Sequence, residues 1–217
     1  MAKSVDFDYS KFHNYKMLDK IRPICSLLCK TKFKVEFRGQ ENLQRKGGFI
    51  IASNHVSALD PMFIGLSSDR LFHYIAKKEL FENPIMAKAI IHLNAFPVVR
   101  GIGDMDAVNY SIELVRRGEV LCIFPEGTRS KTDEMLPFKE GSLKIAEKTK
   151  CKIVPMVQNN TSAALEDHFP FLRKCHTVIE FGKPIDIQEL SPEDRKFLGA
   201  YTQRIIQEIH EKNKALV

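Results

Sequence analysis

Short apolar runs alternate with stretches of helical periodicity along most of this chain. The runs occupy residues 35–37, 49–53, 72–76, 95–99, 120–124, 153–157 and 176–181. Between them, apolar residues recur at helical spacing over residues 61–68, 83–93, 104–117 and 139–149. Strands that alternate with helices are typical of an α/β fold, so we expect a largely parallel, mixed sheet flanked by helices.

The N-terminal segment predicts an amphipathic helix over residues 14–29. Apolar residues recur there at helical spacing, with charged residues between them: Leu18, Ile21, Cys25 and Leu28. Pro23 should kink this helix or begin a second one, because proline lacks the N–H that an inner turn needs. The apolar side could pack on the core or lie on a membrane surface, and the pattern leaves both interpretations open.

The C-terminal segment predicts a single helix that packs on the body of the molecule. Ser191 suits the N-cap and Pro192 suits the first helical position, and an apolar stripe continues to about residue 213. Because no repeat or linker interrupts the chain, we expect one domain over residues 34–217. The amphipathic segment at residues 1–33 precedes it.

The composition is that of a globular protein with reduced thiols. Of the 217 residues, 44% are hydrophobic and 28% are charged, which are ordinary fractions. The five cysteines are odd in number and lack zinc-site spacing, which favours free thiols in the cytoplasm. No apolar run approaches the about 20 residues that cross a bilayer. No nucleic-acid-binding motif is present either, so we expect neither a membrane-spanning protein nor a nucleic-acid partner.

The positive charge lies mostly near the N-terminal end. The net formal charge is +6, and residues 1–34 contribute +5 of it with eight basic and three acidic residues. An anionic membrane surface attracts each nearby Lys or Arg by about 1 kcal/mol. The N-terminal segment therefore suits contact with anionic lipid.

Residues that could bind a ligand or take part in catalysis lie at or near the ends of predicted strands. Segment 54–61 follows the second run, Arg100 follows the fourth, segment 124–130 closes the fifth, and Pro155 lies within the sixth. In open α/β sheets, ligands bind at the carboxyl ends of the strands. We therefore expect these four segments to converge on one edge of the sheet.

His55 and Asp60 are the first candidate pair for chemistry. They are five residues apart, so on an unbroken helix of about 3.6 residues per turn they would face apart. Pro61 indicates that a helix begins there, which leaves a loop in which the carboxylate can fold back onto the ring. A carboxylate on one ring nitrogen leaves the other free to take a proton. In the alternative interpretation, Asp60 only caps the helix and His55 only ends the strand.

No activated nucleophile accompanies this pair. The chain has no G-x-S-x-G elbow, so acylation of a serine is not indicated. A His–Asp pair without a nucleophile fits direct transfer, in which the histidine deprotonates an acceptor hydroxyl that attacks an activated carbonyl.

The segment FPEGTRS (124–130) predicts an anion site. Gly127 lets the backbone approach a ligand closely, and Arg129 offers a planar fork that suits phosphate. Arg100 can play the same part from the neighbouring strand end. In the alternative interpretation, the segment is a surface turn whose arginine forms a salt bridge. Three lysines could add to an anion site: Lys77, Lys78 and Lys139.

Together these segments resemble the glycerolipid acyltransferase family, which contains 1-acylglycerol-3-phosphate acyltransferases. The matching segments, in the family's order, are NHVSALDP (54–61), AKKELF followed by AFPVVRG (76–101), FPEGTRS (124–130), and KEG followed by IVPM (139–156). The resemblance covers residues 35–185 and implies that family's α/β fold. It also implies a donor that is acyl-CoA or acyl-carrier protein, and no metal or other cofactor.

The resemblance implies a role for each matched residue. His55 and Asp60 match the catalytic pair. Five residues match those tied to binding the acceptor phosphate: Arg100, Glu126, Gly127, Thr128 and Arg129. Lys77 matches a lysine that helps to hold the oxyanion or contacts the donor. Pro155 matches the last block, which is tied to the structure of the acyl site.

The resemblance implies acyl transfer to the free hydroxyl of lysophosphatidic acid, giving phosphatidic acid in phospholipid biosynthesis. Three alternatives stay open: another lysolipid as acceptor, glycerol 3-phosphate as acceptor, or a non-catalytic module that binds anionic lipid. The family acts at the cytoplasmic face of the membrane. Because the N-terminal segment here is shorter and more charged than in many members, we expect peripheral binding to the inner face of the cell membrane.

Overall fold

A seven-stranded mixed sheet forms the centre of the molecule. The computed structural model describes residues 7–99, 103–132, 134–165 and 172–217. Its strands are β1 (Val35–Arg38), β2 (Phe49–Ser53), β3 (Phe72–Lys77), β4 (Ala95–Val98), β5 (Val120–Ile123), β6 (Ile153–Asn159) and β7 (Thr177–Phe181). Every apolar run that predicted a strand forms one, so the α/β fold is confirmed.

The helices lie between the strands and at the two ends of the chain. They are α1 (Met17–Thr31), α2 (Asp60–Leu66), α3 (Pro84–His92), α4 (Met105–Arg116), α5 (Lys144–Thr149), α6 (Pro192–Lys196) and α7 (Leu198–Lys214). Side-chain caps begin three of them, since Asn83, Asp104 and Ser191 accept hydrogen bonds from the first-turn N–H groups of α3, α4 and α6.

The strand order is β1-β7-β6-β2-β5-β3-β4. All neighbouring pairs are parallel except β6 with β7, which is antiparallel. Strands β2 to β6 therefore run in one direction, and their carboxyl ends meet at a single edge. Strand β2 lies in the middle, between β6 and β5. The loop that follows β2 thus begins at the centre of that edge.

Apolar side chains cover both faces of the sheet. In β2, Ile50 and Ala52 pack on one face with residues of α4, α5 and α7. Phe49 and Ile51 pack on the other face with residues of α1 and α2. Burying each such side chain stabilises the fold by about 1.5–3 kcal/mol. Burial on both faces explains why β2 is a continuous apolar run rather than an alternating one.

Helix boundaries differ from the predictions at two places. The expected C-terminal helix is broken at Phe197, where φ is −113° and ψ is 44°, so that α6 and α7 are separate elements. The expected helix over residues 139–149 begins with a 3₁₀ turn, Glu140–Leu143, before α5. In both segments the apolar spacing continues through the break, so the pattern alone does not reveal it.

Helix α1 continues through Pro23 as one element. Cys25 and Cys29 are buried against the body of the molecule, whereas Ile24 and Leu27 are 66% and 61% exposed on the outer side. The helix therefore packs on the core and also presents an apolar pair to its surroundings. None of the helices in the described part of the chain combines the length and apolar character that crossing a bilayer requires.

Candidate active site

The loop after β2 places the imidazole of His55 against the carboxylate of Asp60. The Nδ1 atom lies 2.8 Å from Asp60 Oδ2. The same oxygen accepts hydrogen bonds from the backbone N–H groups of Val56 and Ser57, both at 2.9 Å. Asp60 is fully buried. It begins α2 without capping it, so its carboxylate faces back into the loop. The structure therefore places Asp60 as a partner of His55 and not as a helix cap.

The second oxygen of Asp60 is held from the neighbouring strand. Thr161 follows β6, and its hydroxyl donates to Asp60 Oδ1 at 2.7 Å. Thr161 is also fully buried. The sequence analysis did not single out Thr161, although polar residues after the end of an apolar run are the signal that pointed to the other segments.

A second pair of polar residues fixes the start of the same loop. The amide of Asn54 donates to the backbone oxygen of Gln158 at 2.9 Å and accepts from the backbone N–H of Gln158 at 2.8 Å. Asn54 is 1% exposed. These bonds continue the β2–β6 pairing beyond the strand, so the loop leaves β2 in a defined direction.

The imidazole of His55 lies in a partly enclosed position. Its side chain is 18% exposed, and it stacks on the ring of Phe124 with centroids 4.0 Å apart and planes 18° apart. Because an ionised carboxylate only accepts hydrogen bonds, the contact with Asp60 assigns the ring proton to Nδ1. The ring's other nitrogen, Nε2, is then in the form that can take a proton from a substrate.

The segment FPEGTRS surrounds the backbone of His55. Glu126 Oε1 accepts from His55 N–H at 2.8 Å, and Ser130 N–H donates to the backbone oxygen of His55 at 2.8 Å. The other oxygen of Glu126 accepts from Leu136 N–H at 3.0 Å. Glu126 is 2% exposed, and burial raises the pKa of its carboxyl. Its placement therefore differs from the contact with an acceptor phosphate expected for this block.

Gly127 turns the chain at the edge of the site. Its φ is +72°, and a Cβ on it would lie 2.7 Å from Nζ of Lys139. The positive φ favours glycine at this turn, and the nearby ammonium group lies at the end of a flexible side chain. Thr128 and Arg129 follow it and are exposed. Arg129 lies on this turn, and the ammonium group of Lys139 lies beside Gly127.

Three predicted site residues remain: Lys77, Arg100 and Pro155. Lys77 ends β3 at the same edge of the sheet; it is 44% exposed, and its Nζ lies 3.5 Å from Glu79 Oε1. Arg100 lies outside the described residues. Pro155 is buried in the third position of β6, opposite Ala52. The expectation that Pro155 lies at the carboxyl edge is wrong, because β6 continues to Asn159.

The described residues were also candidates for a nucleophile, Cys122, and for a group of metal ligands. Cys122 lies in β5, is 1% exposed, and burial raises the pKa of its thiol well above the ordinary value. A buried thiol of this kind is a packed core residue and a poor nucleophile. Within the described ranges, no three His, Cys, Asp or Glu side chains are grouped as metal ligands would be.

The geometry supports one type of chemistry. A histidine polarised by a buried carboxylate is suited to accept a proton from a hydroxyl. Arg129, on the segment that binds the backbone of His55, carries a charge suited to an anionic part of a substrate. The structure thus brings together the segments 54–61 and 124–130, as the sequence analysis expected.

Comparisons with known proteins identify the family of this chain. The family model described as Acyltransferase matches residues 34–159. A 1-acyl-sn-glycerol-3-phosphate acyltransferase of Bacillus subtilis (strain 168) is 32% identical over 186 residues, which cover 84% of this chain and 89% of that relative. A relative of the same name from Borreliella burgdorferi is 30% identical over 167 residues, which cover 76% of this chain and 67% of that relative.

A solved structure has the same fold. The crystal structure of the 1-acyl-sn-glycerophosphate (LPA) acyltransferase PlsC from Thermotoga maritima matches with a TM-score of 0.74 and 25% sequence identity. The match covers 91% of this chain and 80% of that chain. The family model spans more than half of the chain and includes the whole loop from His55 to Asp60 and the FPEGTRS segment. The chain is an enzyme that belongs to the acyltransferase family.

Proposed function

We propose that this enzyme transfers an acyl group from a thioester to the free hydroxyl of 1-acylglycerol 3-phosphate, giving phosphatidic acid. The observation that carries the proposal is the His55–Asp60 pair, held at 2.8 Å, in a loop whose backbone is bound by the segment that bears Arg129. The names of the relatives from Bacillus subtilis and Borreliella burgdorferi support this acceptor.

In the proposed mechanism His55 is the general base. Its Nε2 takes the proton from the acceptor hydroxyl as the oxygen attacks the thioester carbonyl, and Asp60 stabilises the imidazolium that forms. The tetrahedral intermediate then collapses, the carbon–sulfur bond breaks, and the leaving thiolate takes the proton from His55. Such general-base help contributes about 10²–10⁴-fold to the rate. Lys77, at the end of β3, is the proposed cation for the oxyanion or the donor.

The proposed acceptor site lies on the turn after β5. Arg129 binds the phosphate together with Arg100, and Gly127 and Thr128 form the turn beneath it. Each charge-assisted hydrogen bond to a phosphate contributes about 1.5–3 kcal/mol. The donor is acyl-CoA or acyl-carrier protein, since both supply the thioester that the mechanism needs. Pro155, inside β6, shapes the sheet beneath the acyl site.

We also propose that residues 1–33 are the membrane-facing part of the protein. The exposed pair Ile24 and Leu27 on α1, with the basic excess of this segment, fits an anionic lipid surface. The enzyme would then act peripherally at the cytoplasmic, inner face of the cell membrane. The acceptor, a lysolipid, is present at that surface.

An acceptor panel with one labelled acyl-CoA tests the proposal. The panel contains 1-acylglycerol 3-phosphate, 1-acylglycerol, lysophosphatidylcholine and glycerol 3-phosphate, and product formation is measured for each. We expect kcat/KM to be at least about tenfold higher for 1-acylglycerol 3-phosphate than for 1-acylglycerol, because the latter lacks the charge-assisted bonds. Equal rates for the two would contradict the phosphate site. A higher rate with either of the other acceptors would identify a different substrate.

The role of His55 is tested by replacement. His55→Ala should lower kcat by about 10²–10⁴-fold while the fold is kept, because the general base is lost. The matched control is His92→Ala, at the end of α3, where the ring packs on Tyr15. Wild-type turnover in His55→Ala would refute the assignment of the base.

A further inference from the structure

A buried carboxylate joins the two halves of the candidate site. Glu126 receives one backbone N–H from the loop after β2, that of His55, and one from the segment that follows its own block, that of Leu136. The two donor–acceptor distances are 2.8 Å and 3.0 Å. Each carboxylate oxygen therefore has a backbone partner, and the side chain is 2% exposed.

The charge of Glu126 argues against a contact with an anion. A carboxylate and a phosphate repel each other, and the repulsion is strong in a site from which water is excluded. The side chain is also turned away from solvent, towards the backbone of residue 55. Arg129, on this turn, and the ammonium group of Lys139, beside Gly127, are groups whose charge suits a phosphate. Glu126 thus differs from Arg129 in the same segment, because neither its charge nor its direction suits a contact with phosphate.

Three members of the same segment hold His55, two through its backbone and one through its ring. Glu126 binds its N–H group, Ser130 binds its carbonyl oxygen at 2.8 Å, and Phe124 stacks on its ring at 4.0 Å. Because both backbone groups are bonded, the backbone at His55 is fixed relative to the sheet. The direction in which the Cα–Cβ bond leaves the backbone is fixed with it. This segment thus fixes where the side chain of His55 begins, while the bond from Nδ1 to Asp60 and the stacking on Phe124 set the direction of Nε2.

We propose that Glu126 is a positioning residue that fixes the backbone of His55, and thereby aims its imidazole, and that it does not bind the acceptor phosphate. The proposal rests on the proposed role of His55 as general base. Binding the N–H groups of both His55 and Leu136 requires two hydrogen-bond acceptors in one side chain. A carboxylate supplies them, whereas an amide has one oxygen and directs an NH₂ group at the second N–H.

Kinetics of Glu126→Gln separate positioning from phosphate binding. Initial rates of thiol release from acyl-CoA, measured over a range of acceptor concentrations, give kcat and the acceptor KM. We expect kcat to fall by about 10–100-fold, since a displaced catalytic group costs this order of rate, while the acceptor KM stays within about twofold. Arg129→Ala should show the reverse pattern, a raised KM. The matched control is Glu134→Gln, an exposed carboxyl on the same loop, which should change neither constant.

Two results would overturn the proposal. The first is a raised acceptor KM with wild-type kcat in Glu126→Gln, which is the pattern of a phosphate contact. The second is wild-type values for both constants. If Glu126→Gln does not fold, Glu126→Asp keeps the charge on a shorter side chain and should show the same fall in kcat.

A spectroscopic measurement separates this proposal from the proposed function. The ring nitrogens of His55 are observed by ¹⁵N NMR in the wild type and in Glu126→Gln without any substrate. We expect the Nδ1 signal, which reports the bond to Asp60, to shift in Glu126→Gln and to stay in Glu134→Gln. An unchanged signal would contradict positioning. If the wild type prefers another acceptor, the proposed function fails, while the kcat and KM comparison is still made with that acceptor.

Discussion

Asp60 is held in one orientation by its hydrogen bonds. Its two oxygens accept hydrogen bonds from one ring nitrogen, two backbone N–H groups and one hydroxyl. A buried carboxylate is stable only when its acceptor sites are filled in this way. The bonds also leave it one orientation, with Oδ2 directed at His55. The proposed base is therefore oriented by a side chain that is itself rigidly held.

Asp60→Asn is expected to remove most of the activity. The amide lacks the charge that stabilises an imidazolium, and its NH₂ group favours the wrong tautomer of His55. A loss of about 10⁴-fold in kcat is the order seen when the carboxylate of such a pair becomes an amide. Thiol release from acyl-CoA measures it, with circular dichroism as the control for folding. A kcat within tenfold of wild type would contradict the pairing.

Thr161→Val is expected to remove the hydrogen bond that holds the second oxygen of Asp60. Valine has nearly the shape of threonine but leaves Asp60 Oδ1 without its 2.7 Å partner. An unsatisfied buried acceptor costs about 1–3 kcal/mol, so urea denaturation should show a loss of this size, and kcat should fall as well. Thr161→Ser keeps the hydroxyl and should retain wild-type kcat. A stable, fully active Thr161→Val would show that this bond is not needed.

At the scale of elements, the strands and most helix ends follow from local signals. The strands are buried runs of apolar residues, and Asn83, Asp104 and Ser191 mark helix starts because their side chains bind first-turn N–H groups. The break at Phe197 has no such signal, since neither glycine nor proline stands there. Helix α1 was open to two interpretations, and it shows a buried side with Cys25 and Cys29 and an exposed apolar pair on the other side.

The exposed pair on α1 predicts a measurable lipid affinity. Ile24→Ser combined with Leu27→Ser should reduce binding to vesicles that contain anionic phospholipid by at least about tenfold, because each inserted side chain contributes about 1.5–3 kcal/mol. Sedimentation with vesicles measures the bound fraction. Ile85→Ser, at a residue of α3 that is 82% exposed, is the control and should bind as wild type. Unchanged binding of the double variant would assign the membrane contact elsewhere.

At the scale of the whole molecule, the parallel strands bring the site together. His55 and Glu126 are 71 residues apart, and Asp60 and Thr161 are 101 residues apart. They meet because β2 lies between β5 and β6 in the sheet and all three strands end at one edge. The ends of β2, β5 and β6 thus supply the proposed base, the groups that hold it, and the arginine proposed to bind the phosphate.

Stability of the whole molecule should depend on pH through Glu126. Burial raises the pKa of this carboxyl above its ordinary value of 4.5, so the folded state binds the proton more tightly than the unfolded state. Its contribution to the free energy of unfolding is full below the unfolded pKa and is lost as pH rises through the folded pKa. As the pH rises from 4 to 7, the free energy of unfolding of the wild type should therefore fall relative to that of Glu126→Gln. Urea denaturation at several pH values checks this, and a shift in the opposite direction would contradict the environment assigned to Glu126.

The sequence by itself determined the strands, the α/β class and the segments that carry the site. It could do so because apolar periodicity, caps and short motifs are properties of neighbouring residues. Only the tertiary structure decided which side chains meet: Thr161 on Asp60, Glu126 on the backbone of His55, and Pro155 inside the sheet instead of at its edge. Those contacts depend on strand order and on where each strand ends, and both are set by packing between residues that are far apart in the chain.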